Sequence, residues 1–155
     1  MDNFINNNIE KVIIVLPLIL GLSVGYFSKS DKWYYNLKKD IDIPGYIFGI
    51  VWPILYIFIG IAYYLALNGK SSDYWIFPII HLMLNLSYTP LLFTYHKLLL
   101  STIVTTLILI TAIYMAYLFY YYDKTGYAYK LLIPYILWLI FANYLAWSLY
   151  SLNQS

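Results

Sequence analysis

The chain has 155 residues, of which 63% are hydrophobic and only 10% are charged. Water-soluble domains carry about 25% charged residues, so this chain lacks the polar side chains needed to cover a water-facing surface. Its net charge of +2 is too weak to indicate nucleic-acid binding, and the absence of cysteine excludes disulfides, thiolate catalysis and cysteine metal sites.

Five apolar segments follow one another along the chain, each near the roughly 20 residues that a membrane-spanning helix needs. They cover residues 9–27, 46–67, 74–95, 98–122 and 131–153. The segments are continuously apolar rather than alternating, which argues against a membrane β-barrel. We therefore predict an all-α, multi-pass integral membrane protein, a single domain over residues 1–155 that forms a bundle of five transmembrane helices.

Short connections join these segments, so consecutive helices are predicted to be antiparallel neighbours. The longest connection covers residues 28–45 and is rich in lysine and aspartate. Lysines divide four against five between the two sides of the predicted bundle, so the positive-inside rule gives no orientation. The sequence also leaves the host membrane open between a mitochondrial outer membrane and a bacterial or other cell membrane.

The predicted spans contain no aspartate, glutamate, lysine or arginine in their middle. Ion pumps and proton-driven carriers keep such groups there. The chain also lacks a Ser-His-Asp set, paired histidines at metal-ligand spacing and a glycine-rich phosphate loop. We therefore expect neither hydrolytic nor metal chemistry, and no metal site is predicted.

Aromatic and polar side chains instead recur at helical spacing on three of the predicted helices. The second helix carries Trp52, Tyr56, Ile59 and Tyr63, the third carries Asn85, Tyr88 and Leu92, and the fifth carries Tyr135, Trp138, Ala142 and Leu145. Ordinary bundle packing is one explanation of these stripes. The other is a shared aromatic cavity of the kind that binds lipophilic ligands.

Asn85 is the most informative single side chain, because an amide in the middle of a span must find a hydrogen-bond partner. That partner belongs either to a neighbouring helix or to a bound ligand. His81 is predicted to be a structural donor, and Asn143 is predicted to be the partner of Asn85 or of His81.

Three motifs in chain order carry a resemblance to a known family. The family patterns are WYxxLxKPxWxPPxxxFGxxWxxLY, then LNxxWxPxFF, then LLPYxxWxxxA followed by LN. The matching residues are Trp33, Tyr34, Leu37, Lys39, Pro44, Phe48, Gly49, Trp52, Leu55 and Tyr56, then Leu84, Asn85, Pro90 and Phe93, then Leu132, Pro134, Tyr135, Trp138, Ala142, Leu152 and Asn153. In these motifs the chain resembles the TspO/MBR family of tryptophan-rich sensory proteins, which includes the translocator protein or peripheral-type benzodiazepine receptor.

The resemblance implies five helices around a pocket that opens near the first loop, commonly in a homodimer. It implies porphyrins (protoporphyrin IX, haem), sterols and benzodiazepine-site drugs as ligands, with porphyrin or haem bound as a ligand and no resident cofactor. The ligand-binding positions that it carries over are Pro44, Trp52, Tyr56, Asn85, Tyr88, Tyr135, Trp138 and Ala142.

The chain departs from the family patterns in its first loop and its third helix. Residues 39–45 lack the tryptophan and two of the three prolines of the loop motif, and Tyr88 stands where the third helix usually has tryptophan. The resemblance implies that this first loop folds over the ligand pocket as a lid, so we expect the lid to be looser in this chain. No lysine or arginine follows Tyr144, so the sterol motif of animal members is missing.

We predict a membrane receptor or sensor for flat lipophilic ligands, above all porphyrins, rather than an enzyme. The first alternative is an enzyme that degrades protoporphyrin IX with light, for which Trp52 and Trp138 are the candidate catalytic residues. The second is a passive carrier of sterols or porphyrins, or a membrane scaffold.

Overall fold

The computed structural model describes the backbone of residues 2–154 and the side chains of residues 8–154. Its helices are α1 (Asp2–Phe27), α2 (Lys32–Asn36), α3 (Gly45–Leu67), α4 (Asp73–Thr89), α5 (Leu98–Tyr122) and α6 (Ala128–Leu152), and a π-helical turn, Pro90–Thr94, continues α4. Within this part of the chain, five helices are long and apolar enough to cross a membrane. The predicted all-α membrane architecture is confirmed.

The structure differs from the prediction at the ends of the spans and in the first loop. The sequence analysis did not predict α2, whose N-terminus is capped by Asp31 through a 3.3 Å hydrogen bond from the backbone N–H of Tyr34. The α-helical ladder of the third span is interrupted at Pro90, which has no N–H to donate, and a π-helical turn follows. In this turn the N–H of Tyr95 donates to the carbonyl of Pro90 at 2.9 Å.

Helix α3 lies at the centre of the bundle. It packs against α1 and α6 and also contacts α4 and α5, while α5 packs against α6 and α4. Its buried side chains include Leu55, Ile59, Ala62 and Ala66. Large apolar side chains also cover the outer surface of the bundle, as expected for helices surrounded by lipid tails.

Two glycines allow α1 and α3 to approach closely. A Cβ atom on Gly60 would lie 1.8 Å from the carbonyl oxygen of Ile14, so the two backbones touch at this point. A Cβ atom on Gly21 would lie 2.1 Å from Cε2 of Tyr56, so the missing side chain leaves room for the tyrosine ring. Only glycine fits at such contacts, and they fix α1 against the face of α3 that carries Tyr56.

The loop between α5 and α6 is organised by the buried carboxylate of Asp123. It accepts hydrogen bonds from the backbone N–H groups of Thr125, Tyr127 and Ala128 at 2.9, 3.0 and 2.8 Å. Groups at the start of a helix lack intrahelical acceptors, so Asp123 caps α6. Burial raises the pKa of Asp123, but these hydrogen bonds together outweigh burial and lower the pKa below its usual value.

The lowered pKa gives Asp123 a predictable effect on stability. Its ionised form stabilises the fold above the ordinary aspartate pKa of about 3.9, and this contribution is lost as the pH falls through the lower folded-state pKa. We expect Asp123→Asn, which replaces charge-assisted hydrogen bonds by neutral ones, to reduce the free energy of unfolding by about 1 kcal/mol at neutral pH and to flatten its acid dependence. Thermal unfolding in detergent across this range tests the prediction, with the exposed Asp73→Asn as control. The same pH dependence in wild type and Asp123→Asn would contradict it.

Candidate ligand-binding site

A cavity of about 840 Å³ lies between the helices, beneath the loop that joins α1 to α3. Helices α1, α3, α4, α5 and α6 all contribute to its wall. The wall includes six of the eight residues predicted to bind ligand, which are Pro44, Trp52, Tyr56, Asn85, Tyr88 and Ala142. The aromatic rings supply an apolar surface, while Ala142 leaves space beside them.

The other two predicted residues, Tyr135 and Trp138, do not lie on the cavity wall. Helix α6 lines the cavity only from Leu139 onwards, so the earlier part of its aromatic stripe lies beyond the cavity floor. Tyr135 is fully buried. Trp138 packs edge-on against Phe48, with ring centroids 5.8 Å apart, and its buried Nε1 has no hydrogen-bond partner among the described residues. Of the two candidate catalytic tryptophans, only Trp52 lines the cavity.

A chain of buried hydrogen bonds forms the polar floor of the cavity. Tyr56 donates its hydroxyl hydrogen to Asn85 Oδ1 at 2.9 Å, and Asn85 Nδ2 donates to the hydroxyl of Tyr135 at 2.7 Å. The same hydroxyl lies 2.9 Å from His81 Nε2, and His81 Nδ1 lies 2.6 Å from Thr111 Oγ1. The chain therefore connects the cavity to α5, and both partners of Asn85 belong to neighbouring helices.

The prediction that Asn143 is the partner of Asn85 or His81 is wrong. Its Oδ1 accepts a hydrogen bond from Thr106 at 2.9 Å, and Trp147 Nε1 donates to the same threonine hydroxyl at 2.9 Å. Successive residues of a helix are rotated by about 100°, so Asn143 points away from the cavity that Ala142 faces. These polar contacts instead join α5 to α6.

Charged side chains gather where the first loop meets the cavity. Lys29, Lys39, Asp40 and Asp42 are all part of the wall there. Lys39 Nζ donates to the carbonyl of Tyr34 at 3.2 Å and lies 4.8 Å from the centre of its ring. Burial, and then the charge of Asp42, raise the pKa of Tyr34, so its phenol stays protonated at neutral pH. The mouth thus offers cations, carboxylates and a hydroxyl above an aromatic interior.

Side chains of α6 and of the residue after it hold the second half of the loop. Asn153 makes two hydrogen bonds to the backbone of Lys38, accepting from its N–H at 3.0 Å and donating to its carbonyl at 2.9 Å. Tyr144 donates its hydroxyl hydrogen to Asp40 at 2.5 Å. The degraded loop motif predicted a looser lid, and it gave no indication of these contacts with α6 and Asn153.

The first half of the loop is held by the turn before α5. His96 Nε2 lies 3.0 Å from Asp31 Oδ2, and the His96 ring stacks on Trp33 with centroids 4.2 Å apart. In the same region Phe93, from the π-helical turn, packs edge-on against Tyr34 at 4.9 Å. The loop is therefore fixed at both ends to elements far away in the sequence.

Removing the Asn153 contacts should loosen the lid without unfolding the bundle. Each hydrogen bond contributes about 0.5–1.5 kcal/mol, so we expect Asn153→Ala to speed hydrogen exchange in residues 37–43 by roughly 5- to 150-fold, if both bonds are lost. Exchange measured by mass spectrometry tests this, with Gln154→Ala, an exposed neighbour, as control. Unchanged protection of the loop in Asn153→Ala would contradict the assignment of Asn153 as its latch.

Several wall residues were missed by the sequence analysis. Gly21 and Gly25 of α1 line the cavity; glycines four residues apart are typical of close helix approach in membranes, but this spacing does not identify what they approach. Thr105 and Ile108 of α5 also line it, although none of the three predicted cavity-lining stripes lies on α5. Nothing in their local pattern distinguishes them from packing residues.

Among the described residues, five helices long and apolar enough to cross a membrane surround an aromatic cavity with a polar floor, which defines an integral multi-pass membrane protein with an internal cavity. The chain belongs to the TspO/MBR family, whose sequence pattern matches residues 13–151. It is 32% identical over 147 residues to the uncharacterized membrane protein YtaB of Bacillus subtilis, covering 91% of this chain and 94% of that protein.

Two further relatives are similar to this chain over most of their length. Identity to the tryptophan-rich protein TspO of Bacillus cereus is 30% over 148 residues, covering 91% of this chain and 95% of the relative. Identity to the protein CrtK of Rhodobacter capsulatus is 27% over 138 residues, covering 84% of each. The resemblance seen in the three motifs is thereby confirmed.

Proposed function

We propose that this protein is a membrane receptor or sensor that binds flat lipophilic ligands in the cavity beneath its first loop. The ligands are most of all porphyrins such as protoporphyrin IX and haem, and also benzodiazepine-site drugs. The cavity itself is the observation that carries the proposal. Its volume of about 840 Å³ lies within the range of about 300–1,000 Å³ that small-molecule sites occupy.

The chemistry of the wall suits a planar macrocycle. Trp52 and Tyr88 offer aromatic faces for stacking, and Asn85 brings an amide to the floor. Lys29 and Lys39 place two cations at the mouth, where the carboxylates of a porphyrin would meet them. The porphyrin is proposed as a ligand and not as a resident cofactor.

The resemblance also implies a homodimer, and we propose that this protein is a homodimer as well. The expected result is a mass of two chains for the protein purified in mild detergent, after correction for bound detergent. A mass of one chain over a range of protein concentrations would overturn this part alone, because the cavity lies within a single chain.

A titration of the purified protein with protoporphyrin IX, followed by tryptophan fluorescence in the dark, tests the proposal. We expect saturable quenching, and we expect Trp52→Phe to weaken binding by about 2- to 10-fold, because phenylalanine offers a smaller ring for stacking. Trp75→Phe is the matched control, because Trp75 packs against Tyr63 and not on the cavity wall. Absence of saturable quenching would overturn the proposal.

The same titration under illumination separates the receptor from the light-dependent enzyme. The position of Trp52 on the cavity wall, 5.5 Å from the ring of Tyr56, is the observation that keeps the enzyme as an alternative. A new porphyrin absorption band that needs light and disappears in Trp52→Phe would favour the enzyme. Movement of porphyrin or sterol across vesicle membranes, driven only by the ligand gradient, would favour the passive carrier.

A further inference from the structure

The buried chain beneath the cavity passes through His81, which is 1% exposed. Its two ring nitrogens contact the hydroxyls of Thr111 and Tyr135. No carboxylate among the residues whose side chains are described forms a hydrogen bond with it, and an imidazolium without a counter-charge is costly in such surroundings. His81 is therefore neutral, with one donor nitrogen and one acceptor nitrogen.

The backbone of α5 decides which nitrogen is the donor. Thr111 Oγ1 lies 2.8 Å from the carbonyl oxygen of Leu107 and 3.1 Å from that of Ile108, and these two acceptors on its own helix favour donation of its single hydrogen to the backbone. Towards His81 the threonine oxygen can then only accept. The hydrogen of His81 consequently lies on Nδ1, and Nε2 accepts from the hydroxyl of Tyr135.

The remaining hydrogen bonds take the same direction. Because Tyr135 donates to His81, its oxygen accepts from Asn85 Nδ2, and Asn85 Oδ1 is left to accept from Tyr56. Every donor in the chain thus points away from the cavity and towards α5. If His81 carried its hydrogen on Nε2 instead, the tyrosine hydroxyls would turn round and the Asn85 amide would flip.

The direction of the chain determines what Tyr56 presents to a ligand. Tyr56 lines the cavity, but its hydrogen is engaged by Asn85, so only its oxygen lone pairs remain available. In the reversed chain the same hydroxyl would donate into the cavity. Asn85 keeps one uncommitted amide hydrogen in either direction, so the group whose character changes is the Tyr56 hydroxyl.

We propose that His81 is a positioning residue that makes Tyr56 a hydrogen-bond acceptor, so that the cavity prefers flat lipophilic ligands that present an O–H or N–H donor to Tyr56. His81 does not line the cavity and acts through Tyr135 and Asn85. This inference rests on the proposed function and refines it by naming the chemistry of the ligand.

A pair of probes with one ring skeleton tests the preference. Fluorenol carries a hydroxyl donor where fluorenone carries a carbonyl, and both can be titrated against the full-length protein by tryptophan quenching. One additional hydrogen bond corresponds to about fivefold in affinity, so fluorenol should bind about fivefold more tightly. The preference should disappear in Thr111→Val and in His81→Phe. It should survive in His81→Gln, whose amide supplies both an acceptor and a donor, and in the control Thr106→Val on the same helix.

The tautomer of His81 gives a second readout that does not depend on a ligand. The chain has only two histidines, so protein labelled with ¹⁵N at histidine gives two imidazole spectra, which His96→Gln assigns. We expect His81 to be protonated at Nδ1 in the wild type and to lose this preference in Thr111→Val. Protonation at Nε2 in the wild type would overturn the proposal, as would a fluorenol preference that is unchanged in Thr111→Val and His81→Phe.

The two readouts also separate the failure of this inference from the failure of the proposed function. Saturable binding of protoporphyrin IX without any preference between fluorenol and fluorenone in the wild type would overturn the role of His81 and leave the receptor intact. Absence of saturable quenching by the porphyrin and both probes would overturn both proposals, whatever the tautomer.

Discussion

Gly60→Ala should destabilise the bundle by about 3 kcal/mol, the upper end of what overpacking usually costs. The added Cβ would lie 1.8 Å from the carbonyl oxygen of Ile14, and a backbone atom cannot rotate away as a side chain can. Helix α1 must therefore move off α3. Chemical unfolding in detergent, followed by far-UV circular dichroism, measures the loss.

The same helix offers a matched control for this substitution. Gly49 lies on α3 as well, but a Cβ atom there would have nothing within 4 Å among the described residues, so Gly49→Ala should leave stability unchanged or slightly raise it. Because α1 carries part of the cavity wall, Gly60→Ala should also weaken ligand binding; Gly49→Ala controls only the stability measurement, since Gly49 itself lines the cavity. Equal stability of the two variants would show that α1 and α3 do not meet as described.

Ala142→Phe should abolish most ligand binding while leaving the protein folded. Ala142 faces the cavity, and a phenylalanine ring would occupy space that the ligand needs. Overlap of this kind costs about 1–3 kcal/mol, which corresponds to a 5- to 150-fold loss of affinity. A protoporphyrin IX titration beside thermal unfolding measures both effects.

Ile140→Phe provides the comparison on the same helix. Ile140 is 52% exposed on the outer surface, so the larger ring would meet lipid and should change neither binding nor stability. Full affinity in Ala142→Phe would mean that the ligand does not occupy the cavity. Equal loss in both variants would point to a general disturbance of α6.

The sequence predicted the parts of this protein that depend on composition and periodicity. Membrane helices must satisfy their own backbone hydrogen bonds, so long apolar runs identified the spans. Their ends were less certain, because loops such as the one containing the short helix capped by Asp31 depend on single side-chain contacts. The π-helical turn at Pro90 depends on how neighbouring helices accommodate the proline, which a single sequence does not reveal.

The site shows a similar division. Spacing along a helix predicted which face of α3 and α4 meets the cavity, and Trp52, Tyr56, Asn85 and Tyr88 are all on its wall. Spacing does not say how far a cavity extends along a helix, so the sequence could not show that Tyr135 and Trp138, which the resemblance carried over as ligand-binding residues, lie off its wall. The hydrogen-bond partners of Asn85 could not be predicted from spacing either, because the bonds between Tyr56, Asn85 and Tyr135 depend on the packing of three helices.

The attachment of the first loop to Asn153 has a consequence for biosynthesis. The two residues of that contact are 115 positions apart, and contacts of such separation form late in folding. Synthesis proceeds from the N-terminus, so the loop is made well before α6. It cannot form its contacts with Tyr144 and Asn153 until α6 has been synthesised. A ribosome-bound chain that ends before α6 would hold α1, the loop and α3 without either latch. The loop would then close over the cavity only after the whole bundle has been inserted into the membrane.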